Sequence, residues 1–228
     1  MRSRTRYRRL SAEKAVLLDA GGVLLLPDDQ AIFRELSAAG FDTDPALYAR
    51  AHYVGMRGID RGTTWDDYIA AYLGELGLYS DEAAAALDRA YAGMPWNVVI
   101  PESYAALPGL AASFSHVAVV SNSDGSVEDL LRSTGIAQVG PGAGVDVVAV
   151  VDSHVVGIAK PDPAIFHHTL ELIGVDYPDD AVHVGDSVRF DVMGARAAGV
   201  RALHFDPYRV CDDHDHEHVA SLAEIPVD

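Results

Sequence analysis

The sequence predicts an α/β protein with a parallel sheet core, helices on both faces of the sheet, and a small helical cap domain. Short apolar runs alternate with helical patterns along most of the 228 residues. Strands that alternate with helices form a parallel sheet that is covered on both faces. One long segment of helical patterns interrupts the alternation, and this segment is the predicted cap.

The predicted strands are continuous apolar runs, as expected for strands that are buried on both faces. The first run, Ala15 to Leu18, leads into Asp19-Ala20-Gly21-Gly22, where the glycines permit a tight turn. The other runs are residues 117–120, 145–151, 181–184 and 200–203.

Helical patterns separate most of these strands. One of them, residues 163–173, begins with Pro163, which is well suited to the first turn of a helix. The other helices predicted in the core are residues 127–133 and 191–198. Each helix is expected to cover one face of the sheet.

The segment from residue 28 to residue 100 contains helical patterns at 30–39, 65–76 and 81–91 but no convincing strand. We therefore assign residues 1–27 and 101–228 to the core domain and residues 28–100 to a helical cap domain. An insertion after the first strand is expected over the carboxyl ends of the strands, where open α/β sheets bind ligands. The alternative is that these helices extend the core.

The composition of the chain disfavours nucleic acids and membranes as binding partners. The chain has 34 acidic and 17 basic side chains, for a net charge of −17, and this charge repels nucleic acid and anionic lipid surfaces. No stretch approaches the roughly 18 apolar residues that a membrane span requires. Such a protein can bind phosphate only through locally placed positive charge from a metal ion, a lysine or backbone N–H groups.

The single cysteine, Cys211, excludes an intramolecular disulfide and fits a reducing compartment, so we expect a cytoplasmic protein. A basic stretch near the amino terminus is expected to be a mobile extension, because the apolar run after it is too short for a signal peptide. Its basic residues are Arg2, Arg4, Arg6, Arg8 and Arg9.

Polar residues stand at or soon after the ends of several predicted strands. An isolated aspartate in this position is usually part of a turn or a helix cap. The carboxyl ends of parallel strands meet at one edge of the sheet, however, so these side chains are expected to converge. They are Asp19, Ser121, Asn122, Lys160, Asp186 and Asp191.

Four motifs resemble those of the haloacid dehalogenase-like hydrolase superfamily, in the subgroup with a helical cap. Their order and spacing agree, and the resemblance covers residues 14–205 and implies a Rossmann-like core. The motifs are LDAGGVL at 18–24, a DxGGV variant of the first motif, VVSNS at 119–123, KPDP at 160–163, and VGDSVRFD at 184–191 followed by Gly194-Ala195.

The resemblance implies a phosphatase that acts through an aspartyl-phosphate. Asp19 is the implied nucleophile, because a carboxylate held beside a divalent cation can attack phosphorus in line. The implied cofactor is Mg²⁺, which prefers oxygen ligands. Its implied ligands are Asp19, the Gly21 carbonyl and Asp186, with Asp191 either holding a metal-bound water or orienting Lys160.

The implied phosphate-binding groups are the Ser121 hydroxyl, the Asn122 backbone N–H and the Lys160 ammonium group. They would stabilise negative charge as an oxyanion hole does. The implied substrate is a small phosphorylated metabolite. The protein is expected to be a monomer or a homodimer.

Gly21 departs from the family pattern. Phosphatases of this family usually have a second aspartate there, which carries the proton to the leaving group and from the attacking water. Such a proton carrier contributes about 10²–10⁴-fold in rate, so its absence predicts a slow enzyme or a replacement. The candidates for a replacement are Asp28, His52 and Tyr53.

Two alternatives to a phosphatase remain open. A catalytically impaired module that binds a phosphorylated ligand would explain Gly21. A 2-haloacid dehalogenase also uses an aspartate nucleophile and lacks the second aspartate. Carbon–halogen displacement needs no metal, and therefore Asp186 and Asp191 favour the phosphatase.

Two further features are expected to be structural. Trp65, Tyr68 and Tyr72 have the spacing of one helix face and are expected to pack within the cap. The segment at residues 212–218, DDHDHEH, offers metal-ligating side chains but lacks the spacing of a structural zinc site. We expect it to be a solvated loop, with metal binding as the alternative.

Overall fold

The computed structural model describes residues 15–93 and 96–226. Its core is a parallel sheet of six strands in the order β10-β9-β8-β1-β4-β7, numbered along the chain. These strands are β1 (Ala15–Leu18), β4 (His116–Ser121), β7 (Ala149–Asp152), β8 (Ala181–Gly185), β9 (Arg201–Phe205) and β10 (Glu217–Val219). Strand β1 therefore lies between β4 and β8.

The remaining strands form two short pairs. In the antiparallel pair, β2 (Leu25–Leu26) and β3 (Val98–Val99) join the two chain segments that flank the helical insertion. In the parallel pair, β5 (Ala137–Gln138) lies beside β6 (Val145–Asp146).

Helices cover both faces of the sheet, which confirms the predicted α/β architecture. The two apolar layers alternate along β1, so that Leu18 packs on one face with Leu107 and Leu17 packs on the other with Phe166. The core helices are α5 (Pro101–Ser113), α6 (Val127–Thr134), α7 (Ser153–Val156), α8 (Pro163–Leu172) and α9 (Met193–Ala197). A π-helix, Val188–Val192, directly precedes α9.

The insertion is helical and has its own apolar cluster. Tyr68 and Tyr72 are buried in this cluster, as expected, whereas Trp65 is 42% exposed and stacks on Tyr68. The helices are α1 (Asp29–Ala38), α2 (Tyr48–Gly62), α3 (Trp65–Glu75) and α4 (Asp81–Tyr91). Among the described residues, no helix is long and apolar enough to cross a membrane.

Helix α2 is the longest helix described and was not predicted. Glycine disfavours helix formation, and three glycines repeat along one face of α2. They allow α3 to pack closely, since a β-carbon on Gly55 would lie 2.6 Å from the Tyr68 ring and one on Gly58 would lie 2.5 Å from the Ala71 Cβ. Tertiary packing thus outweighs local propensity here.

The prediction of one strand over residues 145–151 is wrong, because the chain changes partner within the run. Val147 donates its N–H to the Gln138 carbonyl of β5, whereas Val148 donates to the Val117 carbonyl of β4. The run is therefore split between β6 and β7.

Two further predictions need correction. The predicted helix at 191–198 begins earlier, as the π-helix, so Asp191 lies inside this turn and not at a helix start. The segment at 212–218 is not entirely a solvated loop, because His216 is buried and Glu217 begins β10 at the edge of the main sheet.

Candidate active site

The carboxyl ends of β1, β4 and β8 bring the predicted site residues together. Asp19 follows β1 directly, and its N–H donates to the Val184 carbonyl of β8 at 2.9 Å. Ser121 ends β4 and is buried, and Asp186 follows β8 directly. The central position of β1 thus places Asp19 between the two other strand ends.

Lys160 joins two of the predicted carboxylates. Its Nζ lies 2.7 Å from Asp19 Oδ2 and 2.7 Å from Asp191 Oδ1. The Lys160 side chain is only 1% exposed. Lys160 is therefore a buried residue that contacts both carboxylates.

Asp191 is held by several donors. His183 Nε2 lies 2.8 Å from Asp191 Oδ1, and the Ser187 N–H donates to Oδ2 at 3.1 Å. Together with Lys160, these contacts occupy both carboxylate oxygens. These contacts hold Asp191 beside Lys160, as the expected orienting role would require.

Burial and the charges of neighbouring residues shift the pKa values of Asp19, Asp191 and Lys160. Burial raises the pKa of Asp19, against the lowering influence of Lys160. Burial also acts to raise the pKa of Asp191, but Lys160 and His183 lower it below the ordinary value. Although burial opposes it, the neighbouring Asp19 and Asp191 raise the pKa of Lys160 to about 12. Lys160 is therefore a cation at neutral pH.

The donor set fits a divalent cation. Oxygen atoms of Asp19, Asp186 and Asp191 lie within 4.8 Å of one another, and all three residues are buried. When all three carboxylates are ionised, they exceed the single positive charge of Lys160 by two. Burial and the neighbouring Asp19 and Asp191 raise the pKa of Asp186 well above its ordinary value. A hard divalent ion such as Mg²⁺ would neutralise this excess through oxygen ligands.

Asn122 fixes the backbone of Lys160. Its side-chain amide donates to the Lys160 carbonyl at 2.9 Å, and its side-chain oxygen accepts from the Lys160 N–H at 2.8 Å. These bonds connect the end of β4 to the segment before α8. The sequence predicted only that the backbone N–H of Asn122 binds phosphate. The side chain of Asn122 has a second role, which is to fix the backbone of Lys160.

Helix α2 lies against the site. His52 Nε2 is 3.0 Å from Asp186 Oδ2, and His52 Nδ1 is 2.9 Å from the Tyr68 hydroxyl. The Tyr53 hydroxyl donates to the Gly22 carbonyl at 2.7 Å. The insertion therefore covers the carboxyl ends of the strands.

Asp60 of α2 caps the turn after Asp186. Its carboxylate accepts from the Ser187 hydroxyl at 2.6 Å, from the Val188 N–H at 2.7 Å and from the Arg189 N–H at 3.0 Å. These bonds connect the insertion directly to the start of the π-helix. Asp60 was not predicted as a site residue.

The candidates for the missing proton carrier differ in position. Asp28 is the N-cap of α1 and accepts from the N–H groups of Gln30 and Ala31, so it serves a structural role. His52 is 1% exposed and contacts Asp186 directly. Burial lowers the pKa of His52 to about 3, against the raising influence of Asp19, and its imidazole is neutral. Of the candidates, His52 is the one that touches an active-site carboxylate.

Gly21 lies against the indole ring of Trp96. A β-carbon on Gly21 would come within 2.9 Å of Trp96 Cζ3, and the Trp96 ring also makes an edge contact with His52. Gly22 adopts a φ of +68°, and a β-carbon there would overlap the Asp186 carboxylate. The two glycines therefore give space to Trp96 and to Asp186, respectively.

Several site residues could not be found from the sequence. His183 lies inside the buried strand β8, where a histidine in an apolar run gives no functional signal. Trp96 and Asp60 belong to the insertion, and their contacts with Gly21 and Ser187 depend on how it packs on the core. Only the three-dimensional structure brings these residues to the site.

The chain is similar to known hydrolases. The model of the haloacid dehalogenase-like hydrolase family matches residues 13–199. A Bos taurus protein, haloacid dehalogenase-like hydrolase domain-containing protein 3, is 30% identical over 178 residues, which cover 74% of this chain and 67% of the bovine protein. Phosphoserine phosphatase of Thermus thermophilus is 31% identical over 185 residues, which cover 78% of this chain and 72% of the phosphatase.

A solved structure supports the same fold. The crystal structure of the HAD-hydrolase YfnB from Bacillus subtilis bound to magnesium has a TM-score of 0.62 to this chain at 19% identity. The alignment covers 94% of this chain and 97% of YfnB. At this identity the similarity establishes the fold.

Proposed function

Since this chain belongs to the haloacid dehalogenase-like hydrolase family, we propose that it is a magnesium-dependent phosphatase of a small phosphorylated metabolite. The observation that carries the proposal is the Asp19 carboxylate, which lies 2.7 Å from the buried Lys160 ammonium group and within a cluster of three carboxylates. This cluster offers a nucleophile, a fixed positive charge and oxygen ligands for a cation at one sheet edge.

In the proposed reaction, an Asp19 carboxylate oxygen attacks the phosphorus atom of a phosphomonoester. A P–O bond forms to Asp19, the P–O bond to the leaving group breaks, and the alkoxide takes up a proton from water. Water then attacks phosphorus and releases inorganic phosphate and the Asp19 carboxylate. The Asp19 N–H bond to Val184 and the Ala20 N–H bond to Asp19 Oδ1, 2.7 Å long, orient this carboxylate.

Mg²⁺, held by Asp19, Asp186 and the Gly21 carbonyl, would neutralise charge on the phosphoryl oxygens. Lys160 supplies a second positive charge beside Asp19, and Asp191 fixes its position. The Ser121 hydroxyl and the Asn122 N–H are the proposed donors to the phosphoryl group. Donors fixed in advance are worth more in such a buried site than in water.

We propose that His52, whose imidazole is neutral, accepts the proton of the attacking water in place of the absent second aspartate. It is buried, it contacts Asp186, and its ring packs against the Trp96 indole that covers Gly21. Its Nε2–H donates to the Asp186 carboxylate, and its unprotonated Nδ1 accepts from the Tyr68 hydroxyl. Because the Asp19 side chain is only 12% exposed, substrate entry requires His52 and Trp96 to move away from the core.

The test is phosphate release from a panel of phosphomonoesters, with and without Mg²⁺, by the wild-type protein and by Asp19→Asn. The panel includes phosphoserine, which is the substrate class named for the Thermus thermophilus relative. We expect release that depends on Mg²⁺ and is lost in Asp19→Asn. Full activity in excess chelator would contradict the proposal.

Gly21 and Trp96 also favour a second candidate, a module that binds a phosphorylated ligand without turnover. The Trp96 ring occupies the space that a side chain at position 21 would need. Tight binding of a phosphomonoester with no release across the panel would favour this candidate. Halide release from 2-chloropropionate without Mg²⁺ would instead indicate a dehalogenase.

A further inference from the structure

A second cluster of metal-ligating side chains lies at the edge of the main sheet. It combines one residue from β9, one from the loop that follows and two at or near β10, and it is distinct from the carboxylates of the active site. Ligand atoms of all four side chains lie within 4.8 Å of one another. The residues are His204, Cys211, His216 and His218.

The three histidines are each anchored through one ring nitrogen. His204 Nε2 is 3.1 Å from the Asp186 carbonyl, and His216 Nδ1 is 2.6 Å from the Asp215 carboxylate. His218 Nε2 is 2.9 Å from the Asp213 carbonyl. Histidines that bind metals usually donate their other ring N–H to a carbonyl or carboxylate in this way.

This anchoring leaves two lone pairs facing each other. A carbonyl oxygen can only accept, so His204 carries its proton on Nε2 and presents an unprotonated Nδ1. The Asp215 carboxylate likewise places the proton of His216 on Nδ1 and leaves Nε2 unprotonated. His204 Nδ1 and His216 Nε2 are nevertheless 3.0 Å apart. Such a contact is favourable only when a cation or an additional proton lies between the two nitrogens.

Two of the ligand–ligand distances lie close to the edges of a tetrahedral site. Zinc–nitrogen bonds of about 2.0–2.1 Å and a zinc–sulfur bond of about 2.3 Å give edges of roughly 3.4 Å between nitrogens and roughly 3.6 Å between nitrogen and sulfur. The nitrogens of His204 and His216 are 3.0 Å apart, and Cys211 Sγ lies 3.8 Å from His216 Nε2. These two distances differ from the ideal edges by a few tenths of an ångström, and the remaining ligand atoms lie within 4.8 Å of one another.

We propose that His204, Cys211, His216 and His218 bind a divalent transition metal, with Zn²⁺ as the first candidate. Imidazole and thiolate ligands select borderline and soft ions and disfavour Mg²⁺. Four protein ligands close the coordination sphere, which is typical of a structural site. The sequence pattern at 212–218 did not reveal it, because His204 comes from a strand and Cys211 precedes the segment.

The bound metal would fasten the loop between β9 and β10 to the sheet. That loop contacts the insertion, since Arg57 of α2 forms ion pairs of 2.8 Å with both Asp212 and Asp213. His204 is also bonded to the backbone of Asp186. The site therefore links the β9–β10 loop, helix α2 and the backbone of an active-site residue.

Cobalt substitution tests the proposal on the full-length protein. Metal-free protein is titrated with Co²⁺, and the near-ultraviolet thiolate-to-cobalt charge-transfer band is recorded. We expect the band to saturate at about one equivalent, to vanish on addition of Zn²⁺ and to persist in excess Mg²⁺. Zinc in protein purified without chelators, measured by mass spectrometry, is expected near one ion per chain.

Variants separate this site from the active site and from adventitious binding. Cys211→Ser should lose the band, and His218→Gln, at a partly exposed ligand, should weaken it without unfolding the protein. His214→Gln is the matched control, because His214 lies in the same loop outside the cluster. Asp186→Asn should keep the band, so failure of the proposed phosphatase does not affect this test.

Two results would overturn the proposal. One is a wild-type protein that shows no thiolate band and contains no zinc, in which case His204 and His216 share a proton instead. The other is a band of the same intensity in wild type and Cys211→Ser. Circular dichroism of each variant establishes that it is folded.

Discussion

The indole ring of Trp96 lies over Gly21, so that a β-carbon on Gly21 would come within 2.9 Å of Trp96 Cζ3. The same ring contacts His52, which is bonded to Asp186. The glycine that departs from the family pattern is thus matched by an aromatic side chain from the insertion. Restoring an aspartate there requires a compensating change at Trp96.

Gly21→Asp alone is expected to lower stability and not to raise activity. Overpacking of this kind costs about 1–3 kcal/mol. Combining it with Trp96→Ala should relieve the clash, and the double-mutant cycle should give a favourable coupling of about 0.5–3 kcal/mol. Denaturant unfolding of the two single variants and the double variant measures this coupling free energy. Additive effects would show that the two residues do not compete for the same space.

His52→Gln is expected to lower the rate of phosphate release by about 10²–10⁴-fold, the range for loss of a general acid–base group. Glutamine can keep a hydrogen bond to Asp186 but cannot carry the proton. The control is His168→Gln on α8, outside the contacts that form the site. Steady-state kinetics with the best substrate of the panel measures both variants. A His52→Gln enzyme with unchanged turnover would assign the proton transfer to another group.

Lys160→Met is expected to destabilise the protein by about 3–5 kcal/mol, because it leaves buried carboxylates without their cation. Both Asp19 and Asp191 lie 2.7 Å from the Lys160 ammonium group. Adding Asp191→Asn should recover part of the loss, since it removes one uncompensated charge. Urea unfolding of the single and double variants provides the measurement. Equal stability of Lys160→Met and wild type would show that Lys160 is not the counter-ion of this cluster.

Mg²⁺ is expected to stabilise the folded protein at neutral pH and to lose this effect in acid. Asp19 and Asp186 have raised pKa values when the protein is folded without metal. Their ionised forms therefore cost stability above those pKa values, and this cost disappears as pH falls toward the ordinary carboxylate range. Mg²⁺ at 100 times its dissociation constant should add about 2.7 kcal/mol.

Thermal melts with and without Mg²⁺ across a pH series check this dependence. Asp186→Asn is the comparison variant and should respond weakly to Mg²⁺ at every pH. A shift in melting temperature that is independent of pH and of Asp186 would place the ion elsewhere.

The sheet and the convergence of its polar strand ends could be predicted because both depend on local patterns. The apolar run before Asp19 and that before Asp186 predict buried strands, and parallel strand ends must meet at one edge. Helix α2 could not be predicted, because Gly55 and Gly58 weaken its local signal and serve contacts with α3.

Contacts between side chains from distant segments of the chain also could not be predicted from the sequence. His52 reaches Asp186 across 134 positions of sequence, and Asp60 reaches Ser187 across 127. The histidine cluster depends on the pairing of β9 with β10, which brings His218 opposite His204. Neither the composition nor the spacing of residues in the sequence predicts such pairings.

The most direct test of the central claim is to trap the phosphorylated nucleophile. The protein is mixed with Mg²⁺ and a reactive phosphomonoester, quenched in acid and reduced with borohydride, which converts an acyl phosphate to the alcohol. Peptide mass spectrometry should then find position 19 as homoserine, only with Mg²⁺ and not in Asp19→Asn. Phosphate release without any modification of Asp19, or with modification of another carboxylate, would contradict the account.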